Sequence, residues 1–94
     1  MLGVDGESCL IRCVITRRGK FTTHMRFQAE TPDGRTVARS EVFDGDYTGA
    51  HKHRRDHEAA HRRLVGELLA DGWKEAGRAE RWYELRFSRA RSAT

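Results

Sequence analysis

Little in this chain could lock a fold covalently: its 94 residues include two cysteines, Cys9 and Cys13, and one proline, Pro32. Four residues apart on a strand, the two thiols would stand about 13 Å from each other at ~3.3 Å per residue, so they cannot join and are expected free, as in a reducing compartment. No apolar run approaches the ~18 residues of a membrane span, and MLGVDGESC has neither the basic start nor the apolar stretch of a signal peptide. A cytoplasmic protein with no membrane contact is expected. Lysine is scarce as well, three against fifteen arginines. A GC-rich genome produces such a skew through codon usage, so the net charge of +4 permits a nucleic-acid partner without requiring one.

Apolar residues make up 37% of the chain and mean hydropathy is -0.79. They recur with clear periods, which predicts a thin core under a charged surface. Cys9–Thr16 is apolar and β-branched and reads as a first strand, turned by Arg17-Arg18-Gly19-Lys20. Phe21, Thr23, Met25, Phe27 and Ala29 alternate with polar neighbours in a second strand with one wet face. Pro32-Asp33-Gly34 marks a tight turn into a third strand, Thr36–Phe43. A polar loop then leads to a helix placed from about His51 to Ala70, stopped at Asp71-Gly72, with Leu64, Val65, Leu68 and Leu69 as its buried stripe. Residues 74–79 read as a charged turn, with Trp73 folding back on the helix end, and Arg81–Phe87 as a last alternating strand. The order βββαβ predicts an α+β fold, an antiparallel sheet of about four strands with one main helix packed on one face. One small domain over 1–88 and a loose basic tail over 89–94 follow from this reading.

Gly34-Arg35-Thr36-Val37-Ala38-Arg39-Ser40-Glu41-Val42-Phe43 resembles the G-x-x-I-A-x-S-x-x-Y strand of small bacterial domains of the YegP type. The resemblance covers ten residues, no second copy follows, and the chain ends in a tryptophan-bearing strand. It implies a small sheet-and-helix domain and nothing about chemistry.

His57-Glu58-Ala59-Ala60-His61 matches the H-E-x-x-H pattern and so resembles the zincins. That resemblance implies His57 and His61 as zinc ligands and Glu58 as general base, the core of a zinc-dependent hydrolase. The surroundings point elsewhere. Arg54, Arg55, Asp56, Arg62 and Arg63 surround the motif with charge, and Leu64 continues the helix where the extended pattern wants a glycine. Glu67 lies roughly 120° around the helix from His61 at ~100° per residue. On the same wheel His57 and His61 fall within ~40° of Leu64 and Leu68, which predicts core-edge rings that stack on an aromatic such as Phe21 or Tyr83 and donate to a strand carbonyl. A structural metal on His57, His61 and one of Cys9 or Cys13 is the remaining metal reading. His51 and His53, at the helix start, would oppose the dipole if charged, which favours a neutral state or a bound anion there.

If Phe27, Tyr83, Leu85 and Phe87 face the helix, then His24, Arg26, Gln28, Trp82, Glu84 and Arg86 face away, joined by Arg39 and Glu41. Strand one is apolar on both faces, so Leu10 and Val14 need cover on the side away from the helix. The expectation is a non-enzymatic interaction domain that binds a protein partner or forms a homodimer through Leu10, Val14, His24, Arg26, Trp82 and Arg86. A nucleic-acid-binding face on Arg26, Arg39, Trp82 and Arg86 is the alternative. No catalytic residues and no cofactor are expected, zinc on His57 and His61 being the exception if the hydrolase reading held.

Overall fold

The computed structural model describes residues 6–20, 23–45 and 55–90. Its long apolar stretch stays extended from Gly6 to Arg18 (β1) and pairs antiparallel with Thr23–Glu30 (β2). The register sorts the side chains by face: Ile11 lies opposite Ala29 and Cys13 opposite Phe27, while Leu10 meets Glu30, Arg12 meets Gln28 and Val14 meets Arg26. The first set turns toward the helix and the second away from it. Thr36–Arg39 (β3) and Phe43–Gly45 (β4) both pair with the far side of β2. On the other flank of β1 lie Leu85–Ala90 (β6) and then Lys74–Arg78 (β5), giving the order β3-β2-β1-β6-β5 with β4 beside β3 on β2.

The antiparallel sheet with one helix on it agrees with the expected α+β class, but six strands replace about four. The expected third strand is broken at Ser40. Its N–H donates to the Phe27 carbonyl at 2.8 Å, and its hydroxyl accepts from the Phe27 N–H at 3.0 Å, so a side chain closes the ladder where the backbone would have done so. The chain leaves the sheet through Glu41 and Val42 and rejoins it at Phe43. Residues 74–78, expected as a turn, form a strand in which every residue is exposed. A strand that buries nothing carries no apolar period to read. The register shift between Glu75 and Gly77 leaves Ala76 unpaired opposite Phe87 and Arg86, and Gly77 beside it takes φ 121°.

The last strand also starts later than expected, at Leu85, because residues 79–84 form the turn: the Ala79 N–H donates to the Glu84 carbonyl and the Glu84 N–H to that of Arg81. Pairing then runs to Ala90, so the boundary expected at 88 falls inside β6. Arg89, assigned to a loose tail, is instead an anchor. It lies over the Trp73 ring at 4.4 Å, donates to the Asp71 carboxylate at 2.7 Å and holds Glu7 at 2.9 Å.

The helix (α1) is described over Arg55–Ala70; the expected start at His51, with His53, lies outside the described residues, as does Phe21. His57, Ala60, His61, Leu64 and Leu68 form its buried stripe, set over β2, β3 and β4. Val65 is only half-buried and Leu69 is exposed, so the stripe is narrower than the four-residue set expected. The helix ends in a Schellman arrangement: the Trp73 N–H donates to the Leu68 carbonyl and the Gly72 N–H to that of Leu69, with Gly72 at φ 92°. That reversal delivers Trp73 into the core beside Leu68, the fold-back its position in the sequence suggested. Cys9, Ile11, Met25, Phe27, Ala29, Phe43, Tyr83 and Phe87 complete the core, all on the helix side.

Candidate functional site

The two histidines of HEAAH are spent on backbone carbonyls. His57 Nε2 donates to the Asp44 carbonyl of β4 at 2.9 Å, and its ring lies 4.5 Å from that of Phe43. His61 Nε2 donates to the Tyr83 carbonyl at 2.9 Å, its ring set edge-on to Phe27 at 5.3 Å and 5.1 Å from Trp82. A carbonyl only accepts, so the proton sits on Nε2 in both rings and any ligand would have to use Nδ1. Nδ1 of His57 is buried without a hydrogen-bond partner among the described residues. No group of three or more His, Cys, Asp or Glu side chains is placed to hold a metal among those residues, and Glu58 is exposed. The pair acts as two staples, one fixing the helix to β4 and the other to the 79–84 turn.

Cys9 and Cys13 are free thiols on the inner face of β1. Burial pushes the Cys9 thiol up to about 11, which keeps it protonated and unreactive at neutral pH. Cys13 donates to the Met25 sulfur at 3.6 Å.

Trp82 does not stand with the arginines. The sequence places it outward by counting two-residue alternation from Phe87, but positions 79–84 turn, and alternation has no meaning across a turn. Its ring lies against His61, against Tyr83 at 5.6 Å and against Phe27 at 5.8 Å, on the helix side. There it borders a cavity of about 310 Å³ with Glu58, His61, Arg62, Val65 and Leu85. The described aromatic side chains all belong to this side.

On the opposite face the sheet is uncovered by any described element. Leu10 and Val14 of β1 lie there, half-buried, in register with Arg86 and Glu30 and with Arg26 respectively. Gln28, at the centre, accepts from Arg26 Nε at 3.0 Å and donates to Glu30 at 2.6 Å; Arg12 stands 3.9 Å from Glu30. Arg39 is opposite Gln28 and therefore shares its face. His24 lies at the margin, its Nδ1 2.9 Å from the Asp44 carboxylate. Of the residues singled out from the sequence, Leu10, Val14, Arg26, Arg39, Arg86 and, at the edge, His24 are brought together, and Trp82 is not.

A trough of about 360 Å³ lies around Leu10 on this face. Its lining joins the apolar Leu10, Pro32 and Ala76 with the charged Arg12, Glu30 and Arg86. Sequence reasoning missed Pro32 and Ala76 because each belongs to a segment read only as a turn. Arg12 lies two residues from both Leu10 and Val14 and so shares their face of β1, which the apolar character of both faces of that strand had obscured in the sequence.

One sheet edge also merits weighing. Pairing with β6 stops at Leu10–Arg86, whereas β1 continues with β2 to Arg18, so its last residues have no second neighbouring strand among the described residues. Thr16 is a bulge in this stretch and Arg17 and Arg18 follow it, both features that discourage edge-to-edge pairing. The face is therefore better suited than the edge to take a partner. No protein-family model, no curated protein and no solved structure matches this chain.

Proposed function

We propose that this is a non-enzymatic binding domain that docks a protein on the open face of its sheet. The observation that carries the reading is Leu10 at the floor of a trough on a face no described element covers, flanked by arginines. An apolar centre within a polar rim is the usual anatomy of a contact surface. His57 and His61 serve folding, tying the helix to β4 and to the 79–84 turn.

A photo-crosslinking residue at Val14 should give a discrete cross-linked species in the cells that make the protein, and the same residue at Glu67, on the outer helix surface, should not. Equal labelling at both positions, or none at either, overturns the proposal. The mass of the species separates a homodimer from a different partner.

One observation favours a nucleic-acid face as second reading: among the described strand residues, Arg12, Arg26, Arg39 and Arg86 share the open side with two carboxylates, Glu30 and, at the margin, Asp44. With Trp82 on the helix side, however, the ring of His24, at the margin and held by Asp44, is what the described residues of this face offer for stacking, so phosphate contacts would dominate. Binding would then be insensitive to sequence and would fall steeply with salt.

A further inference from the structure

We infer that the occupant of the trough is an acidic segment of a partner protein, setting an aliphatic side chain on Leu10 and carboxylates on Arg86 and Arg12. This rests on the open-face reading and adds the chemistry of what binds. Three features support it.

The first is an uncompensated cation beside the apolar floor. Arg86 lies in register with Leu10, is exposed, and has no ion pair among the described residues. An incoming carboxylate gains a charge-assisted hydrogen bond there without displacing an internal one. The second is the state of Glu30. One of its oxygens is taken by Gln28 at 2.6 Å, while Arg12 reaches the other only at 3.9 Å with much of its side chain in solvent. Arg12 can turn to a second carboxylate and leave Glu30 satisfied by Gln28. The third is the apolar part of the lining. Leu10, Pro32 and Ala76 offer nothing to a phosphate backbone but suit a leucine-sized side chain.

A face-to-face pair of copies would bring together two faces on which Arg12, Arg26, Arg39 and Arg86 outnumber Glu30 and Asp44, on chains of net charge +4, and like charge brought together opposes association. Extension of the sheet at the β1 edge is discouraged by the Thr16 bulge and the arginines after it.

The test is an amide NMR titration of the full chain at low salt with short probes of equal length: alternating glutamate and leucine, alternating lysine and leucine, all glutamate, and separately a short DNA duplex. The glutamate-leucine peptide should shift the amides of Leu10, Arg12 and Arg86 and bind about tenfold or more tightly than the lysine-leucine and all-glutamate peptides. Arg86→Glu, at an exposed position, should weaken it about tenfold or more with the remaining spectrum unchanged, and Leu10→Ser should do the same. If the lysine-leucine peptide binds the same amides as well or better, or if none of the peptides binds, the inference fails while the open face can still dock another partner. Shifts confined to Val65, Leu69 and Trp82 overturn the open-face reading itself. Tighter binding of the duplex than of any peptide at Arg12, Arg26 and Arg39 overturns the inference in favour of nucleic acid, and self-association of the free chain at that face overturns it in favour of a second copy.

Discussion

Replacing His61 with alanine tests whether the motif is a staple. The side chain is nearly buried, donates to the Tyr83 carbonyl at 2.9 Å and contacts the rings of Phe27 and Trp82. Removing it strands a carbonyl in the interior, a loss of about 1–3 kcal/mol. The two ring contacts add about 1 kcal/mol. Alanine returns a few tenths as the better helix former, roughly 0.5 kcal/mol. The expected net cost is about 1.5–3.5 kcal/mol, a large share of the ~5–15 kcal/mol that a small domain holds. Urea unfolding should show it as a lower midpoint with the slope unchanged. Because Trp82 packs on the same ring, its emission should also shift to the red before global unfolding, as the 79–84 turn loosens. A cost under about 0.5 kcal/mol would refute the staple, since surface substitutions fall in that range. So would a wild-type midpoint that rises with added zinc and ceases to do so in His61→Ala, because stabilisation by a ligand that binds only the native state is the mark of a metal site.

Four other outcomes follow from the same structure. Glu7 is held below the ordinary carboxylate range chiefly by its hydrogen bond to Arg89, with Arg35 adding to it, so its contribution is present above the unfolded value of 4.5 and is lost as pH falls through the folded one. Glu7→Gln should lower the melting temperature at neutral pH and flatten its decline in acid. Cys9 behaves oppositely: its unfolded thiol ionises near 9.0 while the buried one keeps its proton to about 11, so stability should fall as pH rises between those values. The loss is about 2 kcal/mol, Cys9→Ala should remove most of that slope, and Tyr83, also raised by burial, adds to it in the same direction. Gly72→Ala forces a side chain into φ 92° at the helix end and should cost about 1–2 kcal/mol by thermal unfolding. Arg17→Val with Arg18→Val strips the charge from the open β1 edge and should promote aggregation visible by light scattering, with little change in the monomer's circular dichroism.

What could be read from the sequence depended on whether an element buries one face. β2 alternates along its whole length because Thr23, Met25, Phe27 and Ala29 are buried between polar neighbours, and the helix stripe is legible because His57, His61, Leu64 and Leu68 keep its period. β5 buries nothing and leaves no pattern. The break at Ser40 was equally invisible, since a serine closing a ladder with its own hydroxyl looks like any polar strand residue. Trp82 shows how an error of position becomes an error of function. Starting the last strand four residues early extended the alternation through a turn and moved the ring from the helix side to the open face. With it went the aromatic half of the nucleic-acid argument.

The remaining half of that face obeys a simpler constraint. Among the described residues one helix covers only part of one side of a six-stranded sheet, and the side chains of the other side must supply its polarity themselves. Here arginine and glutamate flank Leu10 in register, and a long side chain can cover apolar neighbours with its stem while keeping its charge in water. Leu10 and Val14 are accordingly half-buried in the single chain and make no open hydrophobic patch. On the proposed reading, a segment carrying carboxylates approaches Leu10 at the least cost, because it pairs with the arginine heads that flank it. A purely apolar segment would have to leave those charges without water or a partner.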